Sequence, residues 1–195
     1  MDEWRPQWTF KDNNHNWFGW QYGLTGENFL VPGDYVRLEN TWTDHRIYRH
    51  RFPVNDFYSH GSPVGHWTGP HAQSLTMRYL VPVGRGYASG KYLLAKRGEL
   101  TEQMVTDQYT NEPYERFTGN TESIRSVRLA LYWPAWYDTW LEIGVTNNDW
   151  TNAGFDPFNP TVPTAGDVQK WSFNLGIYYN FNLAGYDASF LFRDK

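Results

Sequence analysis

The sequence predicts an all-β protein, an antiparallel up-and-down transmembrane β-barrel of about eight strands that forms part of a larger barrel. The first observation behind this is alternation. About eight segments alternate apolar and polar residues with period two, and helical periodicity is convincing nowhere. The second is loop length. The links after the first, third, fifth and seventh segments run about 4 to 9 residues and the others about 20 or more, against 2–5 for ordinary hairpins. All long loops then fall at one end of the meander, as in outer-membrane barrels. The third is ring content. Aromatics make up 19% of the chain, with Trp 11, Tyr 14 and Phe 12, while net charge is −4. A polar chain crowded with rings fits either a carbohydrate-binding β-protein or a barrel with aromatic girdles.

Residues 1–195 read as a single barrel domain, with 1–15 as an N-terminal arm and long loops at 43–71, 99–120 and 147–167. The first strand is NWFGWQYGL, with Phe18, Trp20, Tyr22 and Leu24 on one face. Pro32-Gly33 makes a turn, and DYVRLENTW sets Val36, Leu38 and Trp42 opposite Arg37, Glu39 and Thr41. AQSLTMRYLVP alternates Leu75, Met77 and Tyr79 with Ser74, Thr76 and Arg78. YASGKYLLAKRG alternates poorly, and it and the Glu99–Asp107 segment are the two places where a helix could hide. SIRSVRLALYW and WYDTWLEIGVT follow, joined at Pro134-Ala135. KWSFNLGIYYNF alternates most cleanly, and YDASFLF is the last strand.

Full charges share the polar face: Arg37, Glu39, Arg78, Arg128, Asp138, Glu142 and Lys170. A soluble sandwich would turn them to water, and a membrane barrel would turn them to its lumen. Ring placement favours the barrel, because Trp133, Tyr137, Tyr179 and Phe181 cluster at the short-turn level, as an interfacial belt requires. No apolar run reaches the roughly 18 residues of a transmembrane helix. Met1–Trp4 has neither a basic n-region nor an apolar h-region, so the chain reads as lacking a signal, as a mature form or as part of a longer protein. There is no basic excess for nucleic acid, and the absence of Cys suits an exported bacterial protein.

The Thr43–His71 loop concentrates the chemistry, with five of the six histidines and a single Trp, Trp67. His60, His66 and His71 beside Asp56 fit no compact metal motif. The preferred role is mechanical, with His50 and His66 pinning the loop through backbone carbonyls. Saccharides bind to flat rings with polar groups gripping hydroxyls, and Arg suits acidic sugars. The candidate polysaccharide-binding residues are Arg46, Tyr48, Arg49, Tyr58, His66, Trp67, Tyr114, Arg116 and Trp150. Catalysis is disfavoured. Ser59-His60 is adjacent in sequence, no G-x-S-x-G occurs, and Asp138 with Glu142 reads as a pair of lumen partners for Arg128 and Lys170. A pore is the remaining alternative, since the lumen is charged.

Two stretches carry a resemblance. YVRLENTWTDHRIYRH followed by DFYSHGSPVGHWTGPHAQSL resembles the capsule assembly protein Wzi family. The matching positions are Glu39, Thr41, Tyr48 and His50, then the G-x-x-x-G-H-x-x-G-P core of Gly61, Gly65, His66, Gly69 and Pro70. The resemblance implies the C-terminal portion of a bacterial outer-membrane β-barrel lectin. Its partners would be capsular or extracellular polysaccharide and outer-membrane lipid, and it implies no cofactor. Family barrels carry further strands and a periplasmic helical part N-terminal to this region.

Overall fold

A computed structural model describes residues 18–47, 58–59, 62–63, 66–101, 104, 116–155 and 163–179. The strands are β1 (Gly19–Glu27), β2 (Tyr35–Thr43), β3 (Tyr58–Ser59), β4 (Ser62–Pro63), β5 (Ala72–Val83), β6 (Gly86–Gly98), β7 (Thr121–Pro134), β8 (Thr139–Thr151) and β9 (Val168–Tyr179). Seven of them form one antiparallel open sheet in the order β1-β2-β5-β6-β7-β8-β9. The short β3–β4 ladder is a separate excursion inside the first long loop. The fold is therefore an all-β up-and-down meander. The predicted arm at 1–15 and the last predicted strand lie outside the described residues.

The short turns have local causes. Asn28 and Gly33 take positive φ, and Gly33 N–H donates to Asn28 Oδ1 at 2.6 Å. Asp34 accepts from the Phe29, Leu30 and Val31 amides and from the Tyr79 hydroxyl. Burial pushes its carboxyl up, but the Leu30 and Val31 amides, Tyr79 and Phe29 outweigh it and hold it at about 2. Gly84 and Tyr137 supply the positive φ of the other two turns.

One reading holds and two are corrected. The poorly alternating fourth segment, read as a strand in which a helix could hide, is a full strand, because it lies between β5 and β7 and pairs along its whole length with both. Central position supplies what its weak pattern does not. The sixth strand starts at Thr139 and continues through Thr151, so Asn147–Thr151 are strand rather than loop. Their backbone groups find partners on β7 from Val127 to Ser123. Asp138 consequently sits exposed in the turn, off the face that carries Glu142.

The two faces of the sheet differ sharply. On one, Leu129–Val145–Phe173 and Leu131–Ile143–Leu175 form cross-strand apolar rows, and Phe173 and Leu175 are each 84% exposed. At the short-turn end this face carries exposed Trp133, Trp136, Tyr137 and Tyr179. Towards the long loops it turns polar at the Arg125–Asp149 pair. The other face buries charge, with Glu122 and Glu142 each 2% exposed. Its turn end is filled by Leu80, Ala130, Tyr132 and Trp140, with Tyr35, Tyr87 and Tyr178 packed against them. Among the described residues, exposed apolar side chains on one face and buried carboxylates on the other invert the usual burial preference of these residue types.

Candidate functional site

The polar face carries two adjoining pockets at its loop end, and Trp67 lines both. The first holds about 170 Å³ and is walled by Thr68, Ala95, Arg97, Glu122, Ile124 and Trp150. The second holds about 230 Å³ and is lined by polar groups of β1, β2, β5 and β6, among them Arg37, Glu39, Arg78 and Lys91, with His66 at its edge. Each is smaller than the roughly 300 Å³ of a drug-sized pocket, and together they enter that range. Trp67 itself is 52% exposed.

Each ring is fixed from below. Trp150 Nε1–H donates to Glu122 Oε1 at 2.8 Å, and the Gly154 amide donates to the same oxygen at 3.2 Å. Arg97 closes the other oxygen of Glu122 and also donates to the Phe155 carbonyl at 2.7 Å. A buried carboxylate with all these donors is satisfied, and it orients the indole from its edge. Trp67 leans on His66, ring centroids 5.8 Å apart. His66 Nδ1 lies 2.7 Å from the Thr68 hydroxyl. Burial lowers the His66 pKa and Glu39 pulls against it, so the imidazole is neutral at pH 7.

Behind the pockets the loop ends are tied in a buried junction. Thr43 Oγ1 donates to the Gly69 carbonyl at 2.7 Å and accepts from the Ala72 amide at 3.0 Å. His71 acts as a strut of the kind expected of His66 and His50. Its Nδ1–H donates to the Glu99 carbonyl at 2.8 Å, and its Nε2 accepts from the Phe117 amide at 3.3 Å. These two contacts fix the neutral tautomer. The ring also stacks on Phe117, 5.2 Å between centroids and 4° between planes. Phe117 holds φ 62 and Gly69 φ 74, so the junction needs backbone angles that the alternating strands never use.

Two of the nine predicted binding residues belong to this junction. Arg46 clasps Asp44 through two guanidinium contacts of 2.9 Å and its own amide. Burial raises the Asp44 pKa but Arg46 outweighs it, leaving the carboxyl below its usual range. Arg116 donates to the Thr43 and Ala72 carbonyls at 3.1 Å and lies 4.5 Å over the Trp42 ring. His66, Trp67 and Trp150 come together at the pockets. Tyr58 falls on β3, and Tyr48, Arg49 and Tyr114 lie outside the described residues, as does His50. Among the described residues, no group of three or more His, Cys, Asp or Glu could hold a metal ion.

Sequence reasoning missed Glu122 and the cooperation of Arg37, Arg78 and Lys91. Glu122 lies one residue before the predicted start of its strand. Arg37 and Arg78 lie on the expected face, while the poor alternation around Lys91 assigns it to neither; the alignment of the three depends on register, which alternation alone leaves open. Glu142 does meet Arg128, as expected, and also accepts from the Tyr178 hydroxyl. Comparison with known proteins returns no match: no family model fits the sequence, and no curated protein or solved structure is significantly similar to it.

Proposed function

We propose that this chain is a bacterial outer-membrane β-barrel, or the C-terminal portion of one, that binds and retains capsular or extracellular polysaccharide at the cell surface without catalysing a reaction. The likeness of its loop motifs to the Wzi family motivates the reading. The observation that carries it is Trp67. A half-exposed indole on a long loop lies across the polar face, between a ring-walled pocket shared with Trp150 and a polar pocket beside it. That arrangement offers a ring face to sugar C–H groups and donors to hydroxyls.

The membrane assignment is supported by the apolar face. Trp171, Phe173, Leu175, Ile177 and Tyr179 are all exposed. They span about 26 Å of strand at roughly 3.3 Å per residue. A lipid-facing band is about 25 Å tall and edged by aromatic rings. The exposed Trp133, Trp136 and Tyr137 supply such an edge at the short-turn end.

The test is polysaccharide retention by cells carrying Trp67→Ala, Trp150→Ala or Arg49→Ala, with purified protein assayed against the same polymer. Loss of a central Trp contact should weaken binding by about tenfold or more, with heat-modifiable electrophoretic migration unchanged. Wild-type protein that binds no surface polysaccharide sinks the reading. A pore is the second reading, favoured by the charge-lined polar face. It predicts stepwise conductance in planar bilayers that Trp67→Ala leaves in place.

A further inference from the structure

The register of the sheet sets an apolar patch into the polar face. Along one row of that face Thr41 lies opposite Ser74 and Ser74 opposite Ala95, then Ala95 opposite Ile124 and Ile124 opposite Trp150. The row is polar on β2 and β5 and apolar on β6, β7 and β8. The next row towards the loops sets Arg97 opposite Glu122, and the next towards the short turns sets Ser126 opposite Asn148. Ala95, Ile124 and Trp150 wall the 170 Å³ pocket, and Trp67 adds a wall from the first long loop.

The polar groups around this pocket are committed elsewhere. Glu122 accepts from Trp150 Nε1–H and the Gly154 amide with one oxygen, and from Arg97 with the other. Arg97 also donates to the Phe155 carbonyl at 2.7 Å. The Thr68 hydroxyl lies 2.7 Å from His66 Nδ1, and the Lys96 ammonium sits 4.7 Å over the Phe117 ring. What the pocket offers a ligand is mainly ring and aliphatic carbon. A hydroxyl placed there gives up water without an equivalent partner, whereas a methyl group gains burial and dispersion. The volume is below that of a drug-sized pocket, so it suits part of one sugar unit rather than a length of chain.

We propose that this pocket takes the methyl-bearing edge of a 6-deoxyhexose unit in the bound polysaccharide, with Ala95 and Ile124 selecting CH3 over CH2OH at C6. This rests on the polysaccharide reading above and names the class of sugar recognised. The polar pocket on the other side of Trp67, where Arg37 and Glu39 carry opposite charges, supplies the hydroxyl contacts that a deoxy sugar still needs.

The test uses two pairs of methyl glycosides, α-L-rhamnoside with α-L-mannoside and α-L-fucoside with α-L-galactoside. The members of each pair differ only by CH3 or CH2OH at C6. Each is titrated against the purified full chain in zwitterionic detergent, followed by intrinsic Trp fluorescence. In at least one pair the deoxy sugar should bind about tenfold more tightly than its partner. Ile124→Thr and Ala95→Ser each place a hydroxyl in the pocket wall and should each remove most of that ratio. A ratio between matched probes cancels any loss of folded protein, heat-modifiable migration checks the fold, and Ala95→Ser decides if Ile124→Thr does not fold. Equal binding within both pairs, no binding of any glycoside, or a preference that Ile124→Thr leaves intact overturns the proposal. The cell-surface polymer is titrated in parallel. If it binds and depends on Trp67 while neither pair shows a preference, the polysaccharide reading stands and only the deoxy-sugar pocket fails. If the polymer and every glycoside fail to bind, both readings fall.

Discussion

The middle of the sheet and the junction at its loop end are built on opposite rules. Mid-sheet, each strand sends alternate residues to two unlike faces, and period two alone decides what is greasy and what is charged. Phe173 and Asn174 are sequence neighbours, yet one extends an apolar row and the other lies on the polar face beside Gly144. At the junction no period applies. Thr43, Asp44, His45 and His71 are buried polar residues, and positive φ recurs at Gly69, His71 and Phe117. One region is held by where its residues fall, the other by which atoms each residue reaches. The mid-sheet therefore tolerates many side chains of the right polarity, while the junction tolerates few of any kind.

The largest expected effect tests the face rule. Phe173→Arg puts a charge in the centre of the apolar face, which should cost about 2–4 kcal/mol when that face meets a bilayer midplane. Asn174→Arg, one residue on, should cost little, because its face already holds Arg37, Arg78 and Arg128. Urea titration of protein refolded into lipid vesicles measures both. Equal penalties for the two variants would falsify the assignment of the apolar face to lipid.

A smaller effect tests the junction. A Cβ at Gly98 would lie 2.8 Å from Cε1 and 2.9 Å from Nδ1 of His71. The ring is stacked on Phe117 and bonded at both nitrogens, so it has little room to give way. Gly98→Ala should destabilise by about 1–3 kcal/mol, the usual cost of overpacking. Gly90→Ala, on the apolar face of the same strand with the nearest side-chain atom at 3.8 Å, should be close to neutral. Thermal unfolding of the two variants side by side measures the contrast, and a Gly98→Ala protein as stable as Gly90→Ala would show that His71 does not brace this strand end.

The same division explains what could be read from the sequence. Face assignment was legible wherever alternation was clean, as in β9, and so were the short and long links. The extent of β8 was not, because Asn147, Asn148 and Asp149 resemble loop residues until β7 supplies their partners. Of the site, Trp67 and Trp150 were legible as rings on loops or strand ends. The jobs of Arg46 and Arg116 were not, because a guanidinium that grips a carboxylate or backbone carbonyls looks the same in sequence as one facing a ligand. The alignment of Arg37, Arg78 and Lys91 needed register, and a shift of one residue in any of their strands would have dissolved it.

The smallest effect is a pH dependence confined to the junction. Burial is the main force lowering the His45 pKa from 6.5 to about 4, with Asp44 opposing and Arg46, His71 and Arg116 assisting. Burial also lowers that of His71. Each therefore binds fewer protons folded than unfolded between its two pKa values, so junction stability rises with pH in that window. For His45 the contribution is fully present above about pH 6.5 and is lost as pH falls towards 4. At pH 6 the loss is on the order of 1 kcal/mol for a group shifted this far. Mid-sheet histidines are absent among the described strands, so the loss should be local. Hydrogen exchange corrected for intrinsic rates should show the Gly98 and Phe117 amides losing protection between pH 7.5 and 5, while the Leu129 and Val145 amides keep theirs. Uniform loss across both regions would mean that acid weakens the whole sheet, and unchanged protection at Gly98 would mean that the junction histidines do not resist protonation.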